Sequence, residues 1–186
     1  MPIIDTGKKR PKAGIHDWLE LQSNRKHLVQ RPIENMSRKK GDVLYGRHAV
    51  NNLLGAGYHR ETYDYDVYSY HPRSHAIRIE KSIDRGTNSN LAYVDPMRID
   101  VNGKKKTIFR VKTRHNDTVE VDYNFMPGDI RYETRRGVRY ETLNRAHKKY
   151  SKMIRKGEIN RFPKAFWDKD DIDTYRMIKK NKKRWR

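Results

Sequence analysis

The stretch MRIDVNGKKKTIFRVKTRHNDTVEVDYNF, residues 97–125, constrains the fold more than any other part of the chain. Its apolar and polar residues alternate, which is typical of half-buried β-strands, and two turn signals divide it. Asn102-Gly103 is a favoured pair for a two-residue hairpin turn, and RHND at 114–117 supplies the second turn. The stretch therefore predicts a meander of three antiparallel strands.

The last of these strands separates an apolar face from a polar one, because side chains alternate along a strand. The apolar set is Val119, Val121, Tyr123 and Phe125, and the polar set is Glu120, Asp122 and Asn124. A second strand is predicted at TYDYDVYSY, residues 62–70, and a short hairpin at 128–141.

Helical patterns surround these strands. Apolar spacing predicts a weakly amphipathic helix over 15–29, which the sequence QRPIENMSRKKGD then interrupts. It also predicts a short helix over 48–54 that Gly55 ends, and another from Pro72 to about residue 86. Two more follow, one capped by Thr142 and one starting near Asp168.

Together these elements predict an α+β fold, with a mixed or antiparallel sheet, flanking helices and basic terminal extensions. A chain of 186 residues suits one domain with extensions. We predict a basic N-terminal extension over 1–40, a core over 41–140, and a C-terminal basic helical region and tail over 141–186.

The net charge of +20 indicates a polyanionic partner, and nucleic acid is the leading one. A surface built only for solubility and an acidic membrane face are weaker alternatives. The candidate nucleic-acid contacts are Arg145, Lys148, Lys152, Arg155 and Lys156, with Lys179, Lys180, Lys182, Lys183 and Arg184 in the tail.

The chain has no cysteine, which excludes disulfides and thiolate metal sites. It has no apolar run near the ~18 residues of a spanning helix and no signal-peptide pattern. We therefore expect no membrane partner and a cytoplasmic or other intracellular location, with a virion as an alternative. The sequence leaves any protein partner open.

Asp64 and Asp66 are the candidate metal ligands. Two residues apart on a strand, their side chains lie on one face, with Cα atoms roughly 6.6 Å apart. Both can then reach a hard cation such as Mg²⁺ or Mn²⁺, which often takes phosphate oxygens as co-ligands. Asp122 is the best third carboxylate, and Glu120 and Asp100 are alternatives.

These residues resemble a known family. Residues 44–68, LYGRHAVNNLLGAGYHRETYDYDVY, are similar to the core motif of the nucleotidyltransferase superfamily that includes DNA polymerase β. That motif is a glycine at a strand–helix turn, a short helix, and Asp-x-Asp on the next strand. Arg60 and Thr62 before the aspartates resemble the AbiEii-type toxin group, and VEVDYNF at 119–125 resembles the third motif. Lys149, Lys169 and Asp170 are the nearest fits to the family's helical region.

The resemblance implies a metal-dependent enzyme. Asp64, Asp66 and Asp122 would be the catalytic, metal-holding carboxylates, and Gly46, Arg47, Arg60 and Lys149 would contact a nucleoside triphosphate. Many family members have Gly-Ser or Gly-Gly at the turn where this chain has Gly46-Arg47. Arg47 would therefore either pair with phosphate or block the nucleotide.

Two functions remain open at this point. The first is transfer of a nucleotide to RNA, such as a tRNA, or to a protein hydroxyl. The second is a non-catalytic nucleic-acid-binding protein of a ribonucleoprotein or virion, built on a degenerate core of the same kind.

Overall fold

A seven-stranded mixed sheet organises the part of the chain that this computed structural model describes, residues 13–101, 103–156 and 162–184. In chain order its strands are β1 (Val43–Tyr45), β2 (Tyr65–Ser69), β3 (Ala92–Val101), β4 (Lys104–Thr113), β5 (Val119–Phe125), β6 (Tyr132–Arg135) and β7 (Val138–Glu141). Their order across the sheet is β3-β4-β5-β2-β1-β7-β6. The predicted α+β class with a mixed sheet is confirmed.

Helices pack on this sheet or follow it. They are α1 (Ile15–Arg25), α2 (Arg31–Lys40), α3 (Gly46–Leu54), α4 (Pro72–Gly86), α5 (Leu143–Arg155) and α6 (Phe162–Arg184). A π-helical turn at Lys26–Gln30 joins α1 to α2, and a 3₁₀ turn at Ala56–Tyr58 follows α3. None of the helices in the described ranges is both long and apolar enough to cross a membrane.

The predicted meander is confirmed as β3, β4 and β5, which pair antiparallel in sequence order. Val101 pairs with Lys104 at the first turn, and the Asn102 of the predicted turn lies outside the described residues. The predicted short hairpin is confirmed as β6 and β7. β3 forms one edge of the sheet, and Pro96 lies in its middle, paired with Phe109.

The central strand β2 joins the two halves of the sheet. It pairs antiparallel with β1 and parallel with β5. Val67, Val121 and Tyr123 point to one face, where they are fully buried with Ile79 and Ile83 of α4. The alternating residues, Asp66 and Asp122 among them, therefore point to the opposite face.

A second apolar cluster holds the C-terminal helices. It contains Val50 and Leu54 of α3, Ala146 and Tyr150 of α5, and Ala165 and Ile172 of α6. Thr142 caps α5 as predicted, since its Oγ1 accepts a bond of 3.4 Å from the Arg145 backbone N–H. α6 begins six residues before the predicted start, at Phe162 rather than Asp168.

The predicted break after residue 29 is wrong, because the helical path continues to Lys40. Pro32 has no backbone N–H and cannot complete an ordinary α-helical turn. The wider π-turn absorbs this defect, with the Arg31 N–H donating to the carbonyl of Lys26, five residues back. The division of the chain at residue 40 stays a prediction.

The side chains of this long helical segment are its most informative feature. Leu21, Val29, Ile33 and Met36 are buried in the main core beside β2 and α4. Removing such a side chain should therefore affect the whole fold rather than a detachable arm.

We expect Leu21→Ala to lower the free energy of unfolding by about 2–4 kcal/mol, because it removes a fully buried side chain and leaves a cavity. Leu19→Ala is the matched control, since Leu19 lies on the same helix and is 48% exposed. Urea denaturation of both variants measures the difference. Equal effects of the two substitutions would show that α1 does not belong to the core.

Candidate active site

Three aspartates meet on the sheet face opposite the main core. Asp66 in β2 lies directly beside Asp122 in β5, because the parallel pairing sets these residues opposite each other. Asp64 precedes β2 by one residue, and its Oδ1 accepts a bond of 3.1 Å from the Thr62 hydroxyl. These positions place the three carboxyl groups close enough for their charges to interact.

The pKa values of Asp66 and Asp122 reflect how closely the carboxyl groups are packed. Burial raises the pKa of Asp66 from 3.8 to about 6, and the charges of Asp64 and Asp122 add to the rise while Lys149 and Lys164 oppose it. Burial also raises the pKa of Asp122, with Arg110 opposing the rise and Asp64 adding to it. Extra positive charge at this place would therefore stabilise the ionised carboxylates.

Gly46 makes room for the Asp66 carboxylate at the turn between β1 and α3. Its φ of +67° is a conformation that residues with a side chain rarely adopt. A Cβ at this position would also overlap Oδ2 of Asp66. The glycine predicted from the sequence to admit phosphate thus lies against the carboxylate itself.

The Arg47 side chain is buried between α3 and α6 and also borders the cavity that Asp64 lines. It is 3% exposed, and Nη1 donates to Asp168 Oδ1 at 2.9 Å and to Asp171 Oδ2 at 2.8 Å, both in α6. Nη2 donates to the carbonyl of Tyr58. The role of Arg47 as a phosphate ligand stays a prediction, and these contacts give it a structural role that the sequence did not indicate.

Lys149 of α5 lies near the aspartates, and its role as a nucleotide contact stays a prediction. Its Nζ lies 4.4 Å from the ring centroid of Tyr45, the residue paired with Asp66 across β1 and β2. Tyr45 in turn stacks on Tyr68 with 3.9 Å between ring centroids, and its hydroxyl accepts a bond of 2.7 Å from Asn124. The ammonium group therefore lies at the border between α5 and the carboxylates.

A cavity of about 420 Å³ opens beside Asp64. Arg60, Thr62, Tyr63, Lys164 and Trp167 contribute to its wall. The Arg60 guanidinium donates two bonds to Asp171, at 2.9 and 3.0 Å, and its carbon lies 5.2 Å from the Trp167 ring centroid. The cavity thus combines three cations, Arg47, Arg60 and Lys164, with two aromatic rings and three carboxylates.

The donor set suits a hard divalent cation only in part. Two crowded carboxylates, Asp64 and Asp66, are oxygen ligands of the kind that Mg²⁺ prefers. Asp122 Oδ1 instead accepts a bond of 3.1 Å from Arg110 Nε. In the described ranges no three His, Asp or Glu side chains form a group that could hold a metal ion. Asp64 and Asp66 therefore fit such an ion, whereas one oxygen of Asp122 is shared with Arg110.

The predicted nucleic-acid contacts divide into three sets. Lys148, Lys152, Arg155 and Lys156 of α5, and Lys179 and Lys180 of α6, are exposed. Arg145 is partly buried and pairs with Asp129 and Glu141. The side chains of Lys182, Lys183 and Arg184 lie outside the described residues.

Sequence reasoning missed Lys164, Arg110 and Trp167. Nothing local distinguishes Lys164 or Arg110 from the other cations of so basic a chain. Sheet pairing gives Arg110 its role, because the register places it directly opposite Asp122. Lys169 and Asp170, expected from the family resemblance, have less prominent contacts: Lys169 pairs with Asp173 at 2.6 Å, and Asp170 is exposed.

This arrangement of strands and helices is a fold that is also found in a solved structure. The solved structure of the Megavirus polyadenylate synthase is similar, with a TM-score of 0.61 and 16% sequence identity over 85% of this chain and 34% of that one. The chain thus spans about a third of the length of that protein. The structure of JHP933 from Helicobacter pylori aligns with a TM-score of 0.40, at 18% identity over 69% of this chain and 55% of that one. No protein-family model and no curated protein matches the chain.

We expect Gly46→Ala to destabilise the protein more than Gly103→Ala. Both glycines have positive φ, +67° and +75°, but a Cβ at Gly103 meets nothing within 4 Å whereas one at Gly46 meets Asp66. Gly103→Ala should cost about 1–3 kcal/mol for the backbone alone, and Gly46→Ala clearly more. Thermal unfolding compares the two, and equal losses would mean that Asp66 moves aside freely.

We expect the raised pKa of Asp66 to make stability fall between pH 4 and pH 6. The unfolded chain loses this proton near 3.8 while the native state keeps it to about 6, so the native advantage is present below pH 4 and lost as pH rises through 6. Because one pKa unit corresponds to about 1.4 kcal/mol, the loss is on the order of 2 kcal/mol.

Denaturation measured in the presence of a chelator, between pH 4 and pH 7, tests this expectation. Asp66→Asn should abolish that part of the slope, making the variant more stable than the wild type at pH 7. Asp170→Asn, at an exposed carboxylate, should leave the slope in place. A wild type and Asp66→Asn variant with parallel pH profiles would contradict the assignment.

Proposed function

We propose that this chain is a metal-dependent nucleotidyltransferase that moves a nucleotide from a nucleoside triphosphate to an RNA acceptor. The observation that carries the proposal is the placement of Asp64, Asp66 and Asp122 on one sheet face of a nucleotidyltransferase-like fold, with Gly46 packed against Asp66. The net charge of +20 favours a polyanionic acceptor. A tRNA is a narrower form of the same proposal, and a protein hydroxyl is the alternative acceptor that the resemblance of Arg60 and Thr62 to the toxin group suggests.

Asp64 and Asp66 would hold the divalent ion, and Asp122 would join them. Such an ion, when bound, neutralises the carboxylates and draws electron density from the triphosphate. The other contributions to catalysis would come from side chains around the cavity. Lys149 and Lys164 both act electrostatically on Asp66, so they are placed to offset phosphate charge as well.

The nucleotide would lie in the cavity beside Asp64. Trp167 is 49% exposed and presents an aromatic surface there, and the Arg60 side chain, held by Asp171, adds a positive charge. A base stacked on Trp167 would place the phosphates toward Lys164 and the aspartates. Gly46 would then serve the site by keeping the Asp66 carboxylate in position.

In the transfer step the acceptor hydroxyl oxygen forms a bond to the α phosphorus. The bond from that phosphorus to the bridging oxygen breaks, and pyrophosphate leaves with the electron pair. The hydroxyl proton goes to a carboxylate, for which Asp122 is the candidate once its bond to Arg110 opens. Before substrate binds, the hydrogen bond from Arg110 would thus keep Asp122 from accepting this proton.

The test is incubation of the purified protein with labelled triphosphates, Mg²⁺ or Mn²⁺, and RNA acceptors. We expect label on the RNA, and a decrease of about 100-fold or more in Asp64→Asn/Asp66→Asn, because two charges facing the transferred group are removed. Glu133→Gln/Asp170→Asn is the control, since it also removes two carboxylates but at exposed positions. Label that persists in the first double variant would refute the proposal.

A second candidate is a non-catalytic nucleic-acid-binding protein, as in a ribonucleoprotein or virion. Two observations favour it: the Arg110–Asp122 ion pair occupies one carboxylate, and Arg47 is buried between two others. RNA binding that is salt-sensitive, unaffected by Asp64→Asn/Asp66→Asn, and unaccompanied by transfer would support this candidate over the enzyme.

A further inference from the structure

A second cavity, of about 520 Å³, lies at the N-terminal end of α5. We call it the α5 cavity. Its wall includes four cationic side chains, together with Thr142, Asn144 and His147 and a single carboxylate, Asp129; the four are Arg131, Arg145, Lys148 and Arg176. The lining is therefore strongly cationic.

The charges within the α5 cavity do not cancel. Asp129 is bound by Arg145, whose Nη1 lies 2.7 Å from Oδ2, so the carboxylate is already neutralised. Arg145 also donates to Glu141 at 3.1 Å. Arg131 and Lys148 are exposed, and neither forms a salt bridge with a residue in the described ranges. Two cations are thus free to meet an anion.

Other polar side chains of the α5 cavity contact one another and stabilise its wall. His147 pairs with Asp173 at 2.9 Å, and Arg176 contacts Asn144 and lies 3.6 Å from the same Asp173. These contacts join α5 to α6 behind the cavity. Its shape is therefore fixed by two helices rather than by a loop alone.

The α5 cavity and the candidate active site both border α5. Lys149 and Arg145 are four residues apart, so they lie one above the other, about 6 Å along the helix axis. Lys149 lies over Tyr45, the β1 neighbour of Asp66, while Arg145 binds Glu141 at the end of β7. A chain leaving the aspartates along this side would reach the α5 cavity within one helical turn.

From this geometry we propose that the α5 cavity binds a backbone phosphate of the single-stranded RNA acceptor, upstream of its reacting end, with Arg131 and Lys148 as the contacts. The inference rests on the proposed function for the direction of the chain. A nucleic-acid strand fits better than a small anion because Lys148 begins a row of exposed cations that runs from the cavity toward the C-terminal end of α5, through Lys152 and Arg155 to Lys156.

The experiment measures binding without triphosphate or metal, so that it does not depend on catalysis. A 5′-labelled single-stranded RNA of about 12 nucleotides is titrated with protein by fluorescence anisotropy at several KCl concentrations. The variant is Arg131→Glu/Lys148→Glu. The matched control is Arg78→Glu/Lys81→Glu, the same charge change at exposed positions of α4, which packs on the opposite sheet face.

We expect the cavity variant to bind at least about 10-fold more weakly than the wild type. The slope of log Kd against log salt should decrease by about 0.7, the value for one lost phosphate contact on a single strand. The control pair should stay within about twofold of the wild type. Equal weakening of the two double variants, or none in the cavity variant, would overturn the proposal.

Failure of this inference and failure of the proposed function give different results. Selective loss of binding in the cavity variant, with no transfer by the wild type, would keep the RNA site and refute the enzyme. Transfer by the wild type, with unchanged RNA affinity in the cavity variant, would refute the site alone. Far-ultraviolet circular dichroism and thermal unfolding confirm that both double variants are folded.

Discussion

The parallel pairing of β2 with β5 is the constraint on which the candidate site depends. It sets Asp66 beside Asp122 and, through the two-residue period, places Val67, Val121 and Tyr123 in the core behind them. A slip of one residue in either strand would turn its carboxylate toward the core and its apolar side chains to the other face. The cost of burying those groups fixes the register, so the core and the site are specified by the same residues.

The helical layer depends on a different interaction, the buried network that joins α3 to α6. Arg47 binds Asp168 and Asp171, and Arg60 binds Asp171 from the segment before β2. Although burial acts to raise the pKa of Asp171, hydrogen bonds from Arg60 and Arg47 hold it below its ordinary value. Buried ion pairs add little net stability when complete, but removing one partner leaves uncompensated charge. The network therefore specifies how α6 docks, and it shapes the wall of the cavity beside Asp64.

The sequence predicts most of the strands because their signals are local. Alternation over residues 119–125 and the hairpin turns needed no knowledge of the rest of the chain, and the structure agrees with them. The helix over 15–29 was predicted, but its continuation to Lys40 was missed because the buried residues there, Ile33 and Met36, are few and Pro32 indicates a local break. Only packing against the core and a π-turn make that segment a continuous helix. Similarly, spacing alone was enough to choose the aspartates as candidate metal ligands. The carboxylate partners of Arg47, in contrast, lie more than 120 residues away in the chain.

The edge of the sheet at β3 has a further consequence. Ten residues of exposed strand edge would ordinarily offer a row of amide and carbonyl groups on which a second copy could extend the sheet. Pro96 removes one donor from the middle of that row, and the flanking Asp95, Arg98 and Asp100 add charge along it. Such interruptions protect against edge-to-edge self-association. Pro96 therefore helps to keep neighbouring molecules separate by making the β3 edge a poor partner for a second sheet.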